Sequence, residues 1–140
     1  MSSNMSVTTS YTFGTTVSMS VAQARPVVEA ALKAEGFGVL TEIDVAATMK
    51  AKLDIDGAPY LILGACNPPL ARRALEAEPS AGALLPCNIV IRDLDGRTIV
   101  EAMDPAAVLG VVESTAIEPI AREARERLLR VISSVAAESN

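Results

Sequence analysis

Asp95-Gly96 lies between two stretches rich in β-branched residues, Leu85 to Leu94 and Arg97 to Asp104. No other feature limits the fold of this chain as tightly. Asp-Gly suits a two-residue hairpin turn, because both central positions must take positive φ. A turn that short sets the register. Ile91 should face Val100, Ile89 should face Ala102 and Cys87 should face Asp104, while Val90/Glu101 and Arg92/Ile99 pair on the other side. The first side reads as core and the second as mixed. An antiparallel hairpin this late in the chain disfavours a purely parallel, doubly wound sheet.

Upstream, residues 1–10 are polar and patternless and read as a disordered lead-in, leaving 11–140 as a single α+β domain. Tyr11, Phe13, Thr15, Val17 and Met19 alternate with small polar residues, which predicts a half-buried strand. Ser20 caps a helix with Val21, Ala24, Val28, Ala31 and Leu32 at helical spacing, and Gly36 suits its left-handed C-cap. Pro26 should kink that helix or delay its start. Phe37 to Ile43 reads as a second strand, and Asp44 as the cap of a short helix with Val45, Met49 and Leu53 on one side. Pro59 to Cys66 is apolar on both faces and is the expected centre of the sheet. Asn67-Pro68-Pro69 starts a helix that Pro79 ends. Thr115-Ala116-Ile117-Glu118 reads as the capping box of a long last helix, striped by Ile117, Ile120, Ala124, Leu128, Val131 and Val135. Its outer face offers Glu118/Arg122, Glu123/Arg127 and Glu126/Arg130 as i,i+4 pairs. The expected fold is α+β, a mixed or antiparallel sheet of about five strands with helices packed mainly on one face.

Composition removes several function classes. The net charge is −5 and aromatic residues are 3%, so neither a basic phosphate-tracking face nor a base-stacking platform is available, and nucleic acid is not an expected partner. With no histidine, imidazole catalysis and histidine-based metal sites are excluded. No apolar run approaches the ~20 residues of a membrane-spanning helix, and no signal peptide is recognised, so a cytoplasmic protein with reduced thiols is expected. Apolar residues reach 50% with a mean hydropathy of +0.34, high for 140 residues. A subunit interface would absorb that excess, and a homodimer is the expected assembly.

Motifs that announce an enzyme are missing. Asp54-Ile55-Asp56-Gly57 and Asp93-Leu94-Asp95-Gly96 resemble calcium-loop openings, but the glycine comes two places too early, and turn chemistry accounts for both. There is no phosphate loop, dinucleotide fingerprint or nucleophile elbow. The two cysteines are the most suggestive chemistry: Cys66 and Cys87 each end or begin a strand and each precedes an asparagine, Asn67 and Asn88. Either they fill space as small apolar groups or they converge as reactive thiols. Cys66 precedes a helix N-terminus, whose unpaired donors would favour thiolate. Glu42, Asp44 and Asp104 fall near strand ends, where a pocket could gather them. Asp44 and Asp104 are explained as caps or turns, whereas Glu42 has no such local explanation.

Four segments in order carry a resemblance: Gly36-Phe37-Gly38-Val39-Leu40-Thr41-Glu42-Ile43-Asp44, Leu63-Gly64-Ala65-Cys66-Asn67-Pro68, Leu84-Leu85-Pro86-Cys87-Asn88, and Asp104-Pro105. They resemble the Domain of Unknown Function 302 family of bacteria and archaea, over about Tyr11 to Val135. The resemblance implies a compact fold similar to the TATA-binding-protein-like class and a paired homodimer. It carries over no activity, cofactor or catalytic residue. Pro26 departs from the family pattern and bears only on the first helix.

Two readings follow. One is a non-catalytic homodimeric module that binds a small molecule or a protein in a cleft beside the sheet. The other is a thiol-dependent function through Cys66 and Cys87: redox, sulfur transfer, or the holding of a soft metal such as Cu(I). The candidate positions are Cys66, Asn67, Cys87, Asn88, Glu42 and Asp104. No cofactor and no membrane partner is expected.

Overall fold

The computed structural model describes residues 6–138. Its hairpin is the one the turn dictates. β5 (Cys87–Leu94) and β6 (Arg97–Met103) pair with Ile89 opposite Ala102, Val90 opposite Glu101, Ile91 opposite Val100 and Arg92 opposite Ile99. Asp95 and Gly96 both take positive φ, 51° and 88°. The ladder ends at Ile89 and Ala102, so Cys87 has no cross-strand partner in β6.

The other strands are β1 (Ser6–Thr8), β2 (Thr12–Val17), β3 (Gly38–Asp44) and β4 (Tyr60–Cys66). Six strands run in the order β1-β2-β6-β5-β4-β3, and every neighbouring pair is antiparallel. Two expectations are corrected here. β4 is not the centre of the sheet; it lies one strand from the edge, and β5 and β6 occupy the middle. The sheet has a sixth strand because Ser6–Thr8 pairs along β2, inside the segment expected to be a disordered lead-in; residues 1–5 lie outside the described residues. β2 is also more buried than its alternation implied. Gly14 and Thr16 are shielded as well as Phe13, Thr15 and Val17, because these small residues sit opposite the larger Glu101 and Ile99.

The helices are α1 (Val21–Ala34), α2 (Val45–Leu53), α3 (Pro68–Ala77), α4 (Pro105–Val108) and α5 (Ile117–Glu138), with a 3-10 turn at Pro79–Leu84. Among the described residues, no helix is long and apolar enough to cross a membrane. α1 and α5 pack on the sheet face formed by Phe13, Val17, Leu63, Ile89, Ile91, Val100 and Ala102, where Val28, Leu32, Leu128 and Val131 complete the core. A smaller apolar cluster joins Leu70 and Ala74 of α3 to Leu109, Ile117, Ile120 and Ala124.

Helix ends follow local chemistry with two departures. Ser20 and Gln23 form a full capping box, and α1 begins at Val21, so Pro26 lies inside it and does not delay its start. Its C-terminus closes at Gly36, φ 85°, where the Gly36 and Phe37 amides donate back to Lys33 and Leu32, a Schellman motif. Before α5, among the described residues, no bond forms the expected Thr115 box. The Ser114 hydroxyl accepts from the Ala116 amide at 3.3 Å instead, and the Ser114 carbonyl takes the Ile117 and Glu118 amides. On α5, Glu118–Arg122 and Glu123–Arg127 pair as expected, but Arg130 leaves Glu126 for Glu35, the C-cap of α1, at 3.0 Å.

Candidate functional site

β3, β4 and β5 end together at one side of the sheet, and their ends meet α3 and the 3-10 turn around a cavity of about 310 Å³. The β ladder brings the cysteines there. Ala65 is the partner of Cys87, so Cys66 follows directly, and both thiols border the cavity. Around them stand Phe37, Leu40, Leu70, Ala71, Ala74, Leu75, Leu85, Pro86, Leu109, Ile120 and Ala124. Nearly all of this lining is apolar, and four positions are alanine (Ala65, Ala71, Ala74 and Ala124), which is what leaves the space open.

Neither cysteine is in a disulfide. Burial pushes the half-buried Cys66 thiol above its ordinary value. Cys87 is pushed up to about 11, first by burial and then by the neighbouring Cys66. The helix N-terminus expected to favour a Cys66 thiolate offers it no donor, and the reason lies in the sequence Asn67-Pro68-Pro69. Pro68 and Pro69 have no amide hydrogen, the Leu70 amide donates to the Asn67 side chain at 3.2 Å, and the Ala71 amide donates to the Asn67 carbonyl at 2.9 Å. No donor of that first turn remains for a sulfur.

Asn67 is buried and has a structural account. Its Oδ1 caps α3 while its Nδ2 donates at 3.4 Å to the Glu35 carbonyl at the end of α1, an oxygen that also accepts from Arg127 Nη1 at 2.9 Å. It ties three helices together beside the cavity.

The remaining candidates lie elsewhere. Asn88 is exposed, pairs with Gly64 and is not part of the cavity wall. Asp104 caps α4 through the Ala106 amide at 2.9 Å and accepts from Arg125 Nε of α5 at 3.2 Å, so it does not face Cys87. Glu42 gains the explanation its sequence neighbourhood lacked: Arg25 of α1 donates to it at 2.8 Å through Nε and 2.6 Å through Nη2. Glu42 and Asp44 border a shared open depression with Lys50 and Asp56, and Asp104 is not among its residues. Among the described residues, no three acidic or cysteine side chains gather closely enough to hold a metal ion.

The cavity wall was missed from sequence apart from its cysteines and Asn67. The signal was present in α3, where Leu70, Ala71, Ala74 and Leu75 share one helical face. What could not be read was that Leu109, Ile120 and Ala124, distant in the chain, close the other side.

The model of the family described as domain of unknown function DUF302 matches residues 13–135. The fold is similar to a crystal structure described as an uncharacterized conserved protein DUF302 from Bacillus stearothermophilus. The TM-score is 0.80 at 29% identity, covering 94% of this chain and 96% of that one. No curated protein matches the chain.

Proposed function

The chain belongs to the DUF302 family, and we propose that it is a non-catalytic binding module whose cavity holds a small, mainly apolar molecule. The observation that carries this reading is the cavity itself. Its ~310 Å³ falls at the small end of ligand sites, its lining is almost entirely hydrocarbon, and Asn67 is its one hydrogen-bonding side chain besides the thiols. An apolar guest loses water on entering such a space and needs few polar contacts for orientation. Both thiols stay protonated at neutral pH, which favours packing against a guest over attack on one.

The test uses N-phenyl-1-naphthylamine, an uncharged fluorophore that brightens in apolar surroundings. Saturable binding with one site per chain is the expected result. Ala71→Phe fills the space from a half-buried position and should abolish binding while leaving the circular dichroism spectrum unchanged. Probe binding unaffected by Ala71→Phe would place the apolar site elsewhere and overturn the reading.

A second reading rests on a separate observation, the two thiols bordering one cavity. Of the thiol-dependent functions, redox and sulfur transfer need a thiolate, which burial disfavours. Holding a soft cation remains: Cu(I) would displace one proton from each of Cys66 and Cys87 and bind the resulting pair of thiolates. Competition with bicinchoninate tests it. Stoichiometric Cu(I) uptake lost in both Cys66→Ala and Cys87→Ala supports this role, and uptake by neither wild type nor variants removes it.

A further inference from the structure

The lining of the cavity is uneven in its chemistry. Gly38 pairs with Cys66 and Ala65 pairs with Cys87, so the adjoining strand ends bring Phe37, Cys66 and Cys87 into the wall from the sheet side. From the helix side come Leu70, Ala71 and Ala74 of α3 and Ile120 of α5, all aliphatic. The polarisable groups are thus gathered on the sheet side. Phe37 is the one aromatic ring in the lining among the described residues, and sulfur is the softest atom a side chain offers. Aromatic rings pair with one another in offset or edge-to-face contacts, and sulfur favours contact with a ring as well. Both thiols keep their protons at neutral pH, and an S–H is a weak donor suited to a π face.

Among the described residues, none that lines the cavity is charged. A carboxylate guest needs a cation or free amides. The start of α3 is the place in the wall where an anion would ordinarily be held, but Pro68 and Pro69 have no amide hydrogen and Asn67 takes the Leu70 and Ala71 amides. Arg73 of α3 and Arg127 of α5 are drawn to Glu123, and neither reaches the lining. An ammonium guest finds no carboxylate there either. The mouth offers no polar substitute, since Leu40 and Leu75 line the cavity while keeping 66% and 39% of their surface exposed.

Given the apolar site proposed above, on which this rests, we infer that its guest is an uncharged aromatic molecule of one or two fused rings, its π face toward Phe37, Cys66 and Cys87. At interior packing density the cavity of about 310 Å³ accommodates roughly 15 non-hydrogen atoms. That is enough for a bicyclic ring with a small substituent and too little for a long acyl chain or a nucleotide.

The experiment is displacement of N-phenyl-1-naphthylamine from the full chain at neutral pH by three competitors that share one bicyclic carbon skeleton: 2-naphthol, its saturated counterpart decahydro-2-naphthol, and the anion 2-naphthoate. 2-Naphthol should displace the probe at concentrations about threefold or more below decahydro-2-naphthol and about tenfold or more below 2-naphthoate. Phe37→Leu keeps an apolar side chain without the ring, and Cys66→Ala removes a half-buried thiol. Each should shrink the preference for 2-naphthol over the saturated alcohol, a ratio taken within one variant and so insensitive to a change in its stability. Equal displacement by the two alcohols in the wild type, or a preference unmoved in both variants, would overturn the aromatic assignment. Displacement by 2-naphthoate as strong as by 2-naphthol would overturn the exclusion of charge. Failure of the probe itself to bind would overturn the apolar site and this inference with it, a result distinct from probe binding without the preference.

Discussion

Cys87 combines near-complete burial with a thiol pushed up to about 11, and that has a thermodynamic consequence. In the unfolded chain the thiol ionises near its ordinary value of 9.0, so between about pH 9 and 11 the unfolded state has fewer protons bound than the folded one. Stability therefore falls as pH rises through that window, by at most about 2–3 kcal/mol, and is fully present below it. Cys87→Ala should flatten this alkaline loss in urea titrations at stepped pH; an unchanged slope would mean that Cys87 is not buried as described. Iodoacetamide labelling of the folded protein separates the two thiols. Both should react slowly at neutral pH, with Cys66 faster because it is half-exposed, and faster labelling of Cys87 would contradict the geometry. Ile91, wholly buried opposite Val100, tests the register. Ile91→Asp places a carboxylate in the core and should cost several kcal/mol in denaturant unfolding. An unchanged midpoint would shift the hairpin by one residue.

Elements were legible where a single local interaction decides them. Asp95-Gly96 determined the hairpin, Ser20 opened α1, and Asn67 opened α3, because each rests on atoms within a few residues. Legibility failed before α5, where Ser114 took the place of the adjacent Thr115, and where a competing partner came from far along the chain. Glu126 has Arg130 four residues on, yet Arg130 reaches Glu35, and Glu42 is held by Arg25 seventeen positions earlier in sequence. Asn67 makes the distinction testable. As the cap of α3 its replacement by Ala should cost ~1–2 kcal/mol, while Asn67→Asp keeps the accepting oxygen and should retain most of that stability. Equal losses in the two variants, by thermal unfolding, would show that the link to the Glu35 carbonyl matters more than the cap.

At the scale of the whole molecule, the α+β class and the antiparallel tendency followed from the order of elements, but the strand order did not. Apolarity on both faces of Tyr60–Cys66 suggested the middle of the sheet, whereas a strand near the edge acquires the same pattern when helices cover one face and a wall of the cavity covers part of its end. The cavity depends on the same long-range closure, since β-strand ends, α3 and α5 meet there only in the folded chain. Its purpose is the central claim. Native mass spectrometry of the protein purified without denaturant from its own host tests this most directly. The account predicts one small apolar adduct per chain in the wild type and a bare chain in Ala71→Phe. A bare wild-type chain that also fails to take up N-phenyl-1-naphthylamine, or an adduct that persists in Ala71→Phe, would contradict it.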